Sequence, residues 1–357
     1  MTRTSVVIVT FNSRAYLGPC LDALLPQLGP DDELIVVDNG SSDGSAELAR
    51  ARCPAARVIG GPNDGYAGGN NRGAAASSGE VLVFLNPDTV VRPGALAALT
   101  APLLPAAEGP EGAEGGEGRQ PIGLTTACLV HHDRPEVVNA CGNTVHYSGL
   151  TYCRGANRPR AELAEDADVD AVSGAAFAMR RELFWALGGF DERFFMYCED
   201  TDLSLRARLA GYRCRYVAAA VVLHHYRPSY TPAKAFYLDR NRHLMLLKSL
   251  GGAAYARLLP GLLLAELVTW GFLLLKGPRF WGVKPRVYAW LWRHRRAIAA
   301  HRRASPARPA PERALLAGLS YRLEFEQLAG GPLALFAALV FHPAFRLARL
   351  PLARGCA

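Results

Sequence analysis

Three acidic residues stand close together in the segment CEDTDLSLRARLAGY, which runs from Cys198 to Tyr212. Leucines and arginines follow them at helical spacing, so Glu199, Asp200 and Asp202 are predicted to occupy the first turn of a helix. Acids in a first turn complement the positive end of the helix dipole, and this structural role does not require a catalytic function. A carboxylate held there is also a candidate general base. The segment by itself leaves both interpretations open.

Polar residues also follow each of four predicted strands, at the point where the strand ends. They are Thr10, Asn12, Asp38, Asn63, Asn86 and Asp88. In a doubly wound sheet, ligands bind beyond the carboxyl ends of the strands, so these side chains are expected around one crevice. Turn chemistry explains any one of them separately, because Asn and Asp favour such loops for backbone reasons. Their succession over four strands favours a binding site.

A glycine-rich segment, GYAGGNNRG, covers residues 65–73 and opens a predicted helix. Backbone N–H groups at the start of a helix can receive an anion, and those of Gly68 and Gly69 are the candidates here. The spacing matches neither the dinucleotide-binding fingerprint nor the Walker motif. The sequence therefore does not support binding of a dinucleotide or ATP.

Asp88 and His224 are candidate metal ligands. The charge of a diphosphate calls for Mg²⁺ or Mn²⁺, which typically keep one or two carboxylates together with phosphate oxygens and water. His224 ends a later predicted strand, and an imidazole suits Mn²⁺ better than Mg²⁺. Structural roles remain open for both residues, because Asp88 also fits a turn and His224 also fits a buried structural histidine.

Alternating strand and helix patterns must position these residues. Short β-branched runs alternate with helix-like segments over the first hundred residues, which predicts an α/β fold with a doubly wound, mostly parallel sheet and helices on both faces. The predicted strands cover residues 5–10, 34–38, 57–60 and 81–86, and a later apolar run covers 216–223. A segment rich in Gly, Pro and Glu at about 101–120 predicts a mobile surface loop.

The chain changes character after residue 250. Residues 258–275 are almost continuously apolar but include Pro260 and Glu266. A spanning helix needs about 20 apolar residues, and one central acid costs about 2.5–3.5 kcal/mol on the insertion scale. A second apolar run covers 333–341, and between the two lies a basic cluster of Arg293, Arg295, Arg296, Arg302, Arg303 and Arg308. Residues 251–357 are thus predicted to form a helical membrane-associated region, with a buried helical hairpin as the alternative.

The distribution of charge and the spacing of the cysteines further narrow the class of protein. The formal net charge of +8 is concentrated near the end of the chain, and no zinc-finger or RNP signature accompanies it, so nucleic acid is not an expected partner. The eight cysteines form no CxxC pair, which favours free thiols in a reducing cytosol. We expect a cytoplasmic protein at the inner face of the cell membrane.

Taken in order, the motifs resemble glycosyltransferase family 2, whose members are inverting nucleotide-sugar enzymes with a GT-A fold, and especially its bacterial rhamnosyltransferase-like members. The resemblance covers about residues 4–245, so a GT-A domain is predicted over 1–250. The matching segments are VVIVTFNS, LIVVDNGSSDGS, NDGYAGGNNRGA, VLVFLNPDT, SGAAFAMRRELF and GGFDERFFMYCEDTDLSLRARLAGY.

The resemblance implies a role for each matched position. Asp200 takes the place of the catalytic base, and Asp88 takes that of the DxD metal site, in which Asn86 replaces the first acid. Glu199 and Gly174 would contact the sugar or the acceptor, and His224 would assist at the metal. Donor binding falls to Thr10, Asn12, Asp38, Asn63, Gly68, Gly69, Arg72 and Asn86.

The implied reaction is the transfer of one sugar, rhamnose or similar, with inversion. The donor would be a dTDP-, UDP- or GDP-sugar, the cofactor Mg²⁺ or Mn²⁺, and the acceptor a saccharide or polyprenyl-linked molecule in cell-surface glycan or glycolipid synthesis. The QxxRW signature of processive synthases is not evident after Asp200. Two alternatives remain, a nucleotidyltransferase acting on sugar phosphates and a non-catalytic membrane scaffold of the same fold.

Overall fold

The computed structural model describes residues 3–104, 120–227, 229–304, 312–324, 327 and 332–349. The chain divides into two compact units, Met1–Asn143 with Cys153–Arg227 and Thr144–Tyr152 with Pro228–Ala357. The predicted domain boundary near residue 250 falls inside the second unit and stays a prediction. Of the predicted loop at 101–120, residues 105–119 lie outside the described residues, while Ala101–Leu103 form a short 3₁₀-helix.

The first unit is built on one large sheet of ten strands, ordered β10-β12-β6-β11-β4-β1-β2-β3, with β5 on β12 and β7 on β6. β8 and β9 pair separately, and most of their residues belong to the second unit. Six strands run in one direction, because β1 to β4 are mutually parallel, β6 is parallel to β12, and β11 is antiparallel to both β4 and β6. The strands are β1 (Thr4–Thr10), β2 (Glu33–Asp38), β3 (Arg57–Gly60), β4 (Val81–Leu85), β5 (Thr89–Val91), β6 (Ile122–His131), β7 (Arg134–Ala140), β8 (Asn143–Val145), β9 (Thr151–Cys153), β10 (Ala167–Val169), β11 (Ala176–Arg180) and β12 (Arg213–His224).

Helices cover both faces of this sheet, as the sequence predicts. Along β1, Val6 and Ile8 join one buried cluster with residues of α1, whereas Val7 joins a second cluster on the opposite face with residues of α3 and α6. Strands buried on both faces must be apolar at successive positions, which explains the unbroken β-branched runs. The helices of this unit are α1 (Arg14–Leu24), α2 (Ser45–Arg52), α3 (Gly65–Ala76), α4 (Ala95–Thr100), α5 (Arg181–Ala186) and α6 (Glu199–Leu209).

The six strands of common direction end at the same edge of the sheet. Thr10, Asp38 and His224 are the last residues of β1, β2 and β12. β5 runs antiparallel to β12 and pairs Thr89 with His224, so Asp88, the residue before β5, lies beside the end of β12. Backbone pairing therefore brings a residue that follows β4 to the end of a strand more than a hundred positions later in the chain.

The second unit is helical over most of its described residues. One helix, α8, is long and apolar enough by length and composition to cross a membrane, and α12 is a shorter apolar helix. The helices are α7 (Pro232–Ser249), α8 (Gly252–Leu275), α9 (Pro278–Trp281), α10 (Val283–Ala304), α11 (Glu312–Gly318) and α12 (Pro332–Ala348).

The close packing of α3 on the sheet yields a stability prediction. A Cβ added at Gly73 would lie 2.3 Å from Val7 Cγ1, so Gly73→Ala should lower the free energy of unfolding by about 1–3 kcal/mol, the usual range for overpacking. In α8, Gly271 has no atom within 4 Å of the same added Cβ. Gly271→Ala should therefore be neutral or stabilising by up to about 1 kcal/mol. Urea unfolding followed by circular dichroism measures both, and equal effects would contradict the packing argument.

Candidate active site

The start of α6 holds the Asp200 carboxylate through both of its oxygens. Oδ2 accepts hydrogen bonds from the Gly174 backbone N–H at 2.8 Å and from the Asn143 side-chain amide at 3.3 Å. Oδ1 accepts from the Thr201 N–H at 2.6 Å and from its hydroxyl at 3.2 Å. Burial raises the pKa of Asp200 above its ordinary value, and these donors pull that pKa back down because they favour the ionised form. The side chain stays partly exposed at the edge of the sheet.

Gly174 connects Asp200 to the glycine-rich helix α3. Its carbonyl oxygen accepts a hydrogen bond from the Tyr66 hydroxyl at 2.6 Å, while its N–H donates to Asp200. A Cβ at Gly174 would lie 3.3 Å from Asp200 Oδ2 and 3.4 Å from the Tyr66 hydroxyl oxygen, which leaves little room for a side chain. The position of the Asp200 carboxylate is thus tied to the first turn of α3.

Glu199 is in a different environment from its neighbour. Only 5% of it is exposed, and Oε2 has no hydrogen-bond partner among the described residues. Burial first, and the Asp200 charge second, raise the pKa of Glu199 well above its ordinary value. A raised pKa favours the protonated form of a carboxyl group, and that form can donate a hydrogen bond. Asp202 is fully buried and forms an ion pair with Arg206 at 2.9 Å, which is a structural role.

The segment before α6 is held in an unusual backbone conformation. Phe195, Tyr197 and Cys198 have positive φ angles of 62°, 69° and 65°. The left-handed region costs energy for residues with a side chain, and such strain persists only where the surroundings enforce it. Part of that enforcement comes from α3, because Ala67 N–H donates to the Phe195 carbonyl oxygen and a Cβ at Gly65 would lie 2.1 Å from that oxygen.

The ends of β1 and β2 lie next to each other, and their side chains organise the loops that follow. The Asn12 side-chain oxygen accepts from the Ser42 N–H at 2.8 Å, and the Asp38 carboxylate accepts from the Ser41 N–H at 3.3 Å. Thr10 is fully buried, and its hydroxyl has no partner among the described residues. Thr10, Asn12 and Asp38 are therefore neighbours, as expected for one pocket.

Arg72 orders the loop between β3 and α3. Its guanidinium donates to Asp64 at 2.8 Å, to the Pro62 carbonyl oxygen at 3.1 Å and to Asn39 at 3.2 Å. Asn63 caps this loop by accepting from the Gly65 N–H at 3.1 Å. Arg72 and Asn63, both predicted to bind the nucleotide-sugar donor, thus make structural contacts beside the end of β2. Asn86 follows β4, where its backbone N–H donates to Ala175 and its carbonyl oxygen accepts from the Thr89 hydroxyl.

Gly68 and Gly69 of α3 differ from the expectation in one respect. The helix begins at Gly65, so Gly68 and Gly69 are its fourth and fifth residues and their N–H groups fall within the intrahelical hydrogen-bond pattern. The prediction that these amides receive the diphosphate is therefore not supported. Gly69 instead permits close approach to β1, because a Cβ there would lie 2.6 Å from Val9 Cγ1.

Asp88 and His224 form a pair suited to a divalent cation. The His224 ring bonds through Nδ1 to the Asn139 side-chain oxygen at 2.8 Å, so Nδ1 carries the proton and Nε2 offers a lone pair. Nε2 lies 3.5 Å from Asp88 Oδ1, a buried oxygen with no hydrogen-bond partner among the described residues. Two electron-pair donors that face each other at this distance fit a shared cation. Two protein ligands suit Mg²⁺ or Mn²⁺, which take further oxygens from phosphate and water.

Several residues of this site were not anticipated. Asn143 and Tyr66 reach the Asp200 region, and Asn139 orients His224, yet neither asparagine belongs to a motif with a chemical signature. Asn139 lies in β7 and Asn143 begins β8, where an asparagine carries no special meaning in the sequence. The one available signal was Tyr66, which lies inside the glycine-rich segment.

Solved structures define the class of this fold. Two solved structures that this chain resembles are those of GalNAc-T7 with UDP, GalNAc and Mn²⁺, and of the mannosyltransferase PcManGT of Pyrobaculum calidifontis with GDP-Man and Mn²⁺. The first is 18% identical, with a TM-score of 0.51 over 68% of this chain and 48% of its own. The second is also 18% identical, with a TM-score of 0.50 over 100% of this chain and 88% of its own. The fold is that of the GT-A glycosyltransferases, as predicted.

Sequence comparison gives the family. The model for glycosyl transferase family 2 matches residues 5–106, and that for glycosyl transferase family group 2 matches residues 167–341. An N-acetylglucosaminyl-diphospho-decaprenol L-rhamnosyltransferase of Mycobacterium tuberculosis is 33% identical over 240 residues, which are 62% of this chain and 75% of that protein. Rhamnosyltransferase WbbL of Escherichia coli is 26% identical over 238 residues, which are 62% of this chain and 82% of that protein. The chain belongs to glycosyltransferase family 2.

The hydrogen bond from Asn143 predicts a change in pH dependence. That bond favours the ionised form of Asp200 and lowers its pKa, so Asn143→Ala should raise the pKa. If ionised Asp200 is required, activity appears as pH rises through this pKa, and the acidic limb of kcat/KM should move to higher pH. A pH–rate profile measures the shift. An unchanged limb would show that Asp200 is not the group whose ionisation limits the reaction.

The hydrogen bond from His224 to Asn139 predicts a change in metal affinity. Loss of an outer hydrogen-bond partner of a ligating histidine typically costs about 10- to 100-fold in metal affinity, so Asn139→Ala should raise the half-saturating Mn²⁺ concentration by that factor. Calorimetric titration with Mn²⁺ measures it without turnover. Asn143→Ala is the matched control, since it should leave the Mn²⁺ affinity unchanged; equal effects of the two variants would argue against His224 as a ligand.

Proposed function

We propose that the chain is an inverting glycosyltransferase that moves one sugar, rhamnose or similar, from a nucleoside-diphosphate donor to a saccharide or lipid-linked acceptor in cell-surface glycan synthesis. The observation that carries this proposal is the Asp200 carboxylate, which is held by four donor contacts at the edge of the sheet that also carries the Asp88–His224 pair. The rhamnosyltransferase relatives support the choice of sugar, and the decaprenol-linked substrate in the name of one relative supports a lipid-linked acceptor.

The reaction would be a single in-line displacement. An acceptor hydroxyl oxygen attacks the anomeric carbon of the donor, the bond from that carbon to the diphosphate oxygen breaks, and Asp200 takes the hydroxyl proton. A positioned base contributes about 10² to 10⁴ in rate. Its hydrogen bonds favour the ionised form and so oppose burial, which raises the pKa of Asp200, and they fix the direction of the carboxylate. Glu199, with its raised pKa, would donate a hydrogen bond to a sugar or acceptor oxygen.

On the donor side, Asp88 and His224 would hold Mg²⁺ or Mn²⁺. When bound, such an ion neutralises the charge that develops on the leaving diphosphate. Asn139 keeps the His224 lone pair directed toward Asp88, and the Asp88 carbonyl oxygen accepts from the His225 N–H at 2.9 Å, which fixes the backbone. Thr10, Asn12 and Asp38 would line the nucleoside pocket, beside the loop that Arg72 orders.

Replacing Asp200 tests the base assignment. Asp200→Asn keeps the size of the side chain and removes the ability to take a proton, so transfer should fall by about 10²- to 10⁴-fold while donor binding changes little. The new NH₂ group would face one of the two pairs of hydrogen-bond donors that hold the carboxylate, so the melting temperature should also fall. Diphosphate release with dTDP-, UDP- and GDP-sugars and a polyprenyl-linked acceptor measures transfer, and calorimetry measures donor binding.

Asp202→Asn is the matched control in the same helix turn. It breaks the buried ion pair with Arg206, so it should lower the melting temperature while the folded fraction keeps its activity. Transfer by Asp200→Asn at the wild-type rate would overturn the assignment. Release of pyrophosphate from a nucleoside triphosphate would favour the nucleotidyltransferase alternative, and no turnover with any donor would favour the scaffold.

A further inference from the structure

Helix α8 exposes a row of leucines on one side. Leu259, Leu263, Leu267 and Leu274 repeat at helical spacing, and between 47% and 68% of each is exposed. We call these four residues the leucine stripe. The residues of α8 that pack within the second unit include the buried Leu258, Leu262, Ala265 and Leu273. A monomer rarely exposes so many aligned large apolar side chains unless they meet a partner or a membrane.

The single acid of α8 does not belong to this exposed row. Glu266 bonds to Arg242 of α7 and to Lys284 of α10, whose Nζ lies 2.8 Å from Oε2. Asp239 of α7 bonds to the same two cations, at 2.8 and 2.9 Å. Asp239, His243 and Glu266 are close enough to share a metal, but both carboxylates already neutralise Arg242 and Lys284. These ion pairs fasten α8 to two polar helices, α7 and α10.

These ion pairs determine which residues would accompany α8 into a bilayer. Lys284 in the first turn of α10 also donates to Thr269, and Tyr288 one turn later donates to Glu266, so this part of α10 lies alongside the middle of α8. Exposed Arg286 falls between the two contacts. An α8 that crossed the membrane would carry Arg286 into the hydrocarbon layer, where exposed arginine is strongly disfavoured. Further exposed arginines follow along α10: Arg293, Arg295 and Arg296.

Charge complementarity identifies what covers the leucine stripe. Residues 228–357 carry 20 Lys and Arg and five Asp and Glu, whereas residues 1–227 carry 20 and 27. At the end of α8, exposed Lys276, Arg279 and Trp281 follow the stripe, and the Trp281 indole N–H donates to the Leu274 carbonyl oxygen at 3.3 Å. Tryptophan with adjacent basic residues is typical of the lipid headgroup level. The chemistry is that of an anionic lipid surface.

We propose that α8 lies in the plane of an anionic membrane surface, with its leucine stripe inserted at the headgroup level, and does not cross the bilayer. An interfacial helix of this kind buries only its apolar face, while electrostatic attraction to anionic lipid adds affinity. Arg286 and the other exposed arginines of α10 then remain outside the hydrocarbon layer. The proposal concerns lipid alone and is tested without donor or acceptor, so its outcome is separate from that of the proposed reaction.

Vesicle sedimentation tests the stripe. The full chain should bind vesicles of phosphatidylcholine with phosphatidylglycerol, and the double variant Leu263→Gln, Leu267→Gln should bind roughly tenfold or more weakly. Leu104→Gln is the matched control, because Leu104 is an exposed leucine of the first unit. Circular dichroism melting should be the same for all three proteins. Equal binding by the double variant and the control would overturn the proposal that the leucine stripe inserts into the membrane. The same conclusion would follow if high salt abolished binding of the wild-type chain while replacement of the leucines left binding unchanged.

Depth measurement separates an in-plane helix from a spanning one. Cysteine is introduced at 259, 267 and 274 in turn, labelled with a fluorophore and quenched by bromolipids, with the wild-type chain as the labelling blank. Positions 259 and 274 are separated by roughly 22 Å along the helix axis. The proposal expects the same shallow depth at all three positions. A progression from one interface through the bilayer centre toward the other would overturn it.

Discussion

The Asp200 carboxylate lies at the edge of the sheet, partly removed from water, and is held by hydrogen-bond donors that favour its ionised form. Much of the site depends on these contacts. Asp200 receives four donor contacts, and the shortest from outside its own helix comes from the Gly174 N–H. Gly174 is in turn held by the Tyr66 hydroxyl in α3. Helix α3, next to the ends of β1 and β2, and helix α6, which starts with the acids, are thereby joined through the N–H and the C=O of one residue, Gly174. The position of the proposed base is therefore coupled to that of α3.

The pair formed by Asp88 and His224 depends on backbone pairing instead. β5 turns back after β4 and pairs with the end of β12, which brings two residues far apart in sequence to a separation of 3.5 Å between Oδ1 and Nε2. In the proposed metal site, His224 and oxygens of the substrate would complete the set of ligands that Asp88 begins. The orientation of the imidazole depends on Asn139, which belongs to another strand.

The apolar helix α8 illustrates why amino-acid composition is a poor guide to membrane insertion when each polar residue is considered without its partners. In the sequence, Glu266 appears as a penalty within a candidate spanning segment. In the folded second unit it is neutralised by Arg242 and Lys284, which lie on helices too polar to enter a bilayer. The same ion pairs that remove the cost of the acid therefore attach α8 to neighbours that favour the membrane surface.

The sequence by itself determined the alternation of strands and helices, the GT-A fold, the family and the residues that follow the strand ends, because these depend on local periodicity and on ordered motifs. Asn143, Tyr66 and Asn139 could not be identified in this way, since their roles come from contacts with residues that are distant in the chain. The glycines of α3 show the limit most clearly. Their spacing suggests anion binding. The residue at which α3 starts and the short distance between α3 and β1 instead give Gly69 a packing role, and only the tertiary structure fixes both of these features.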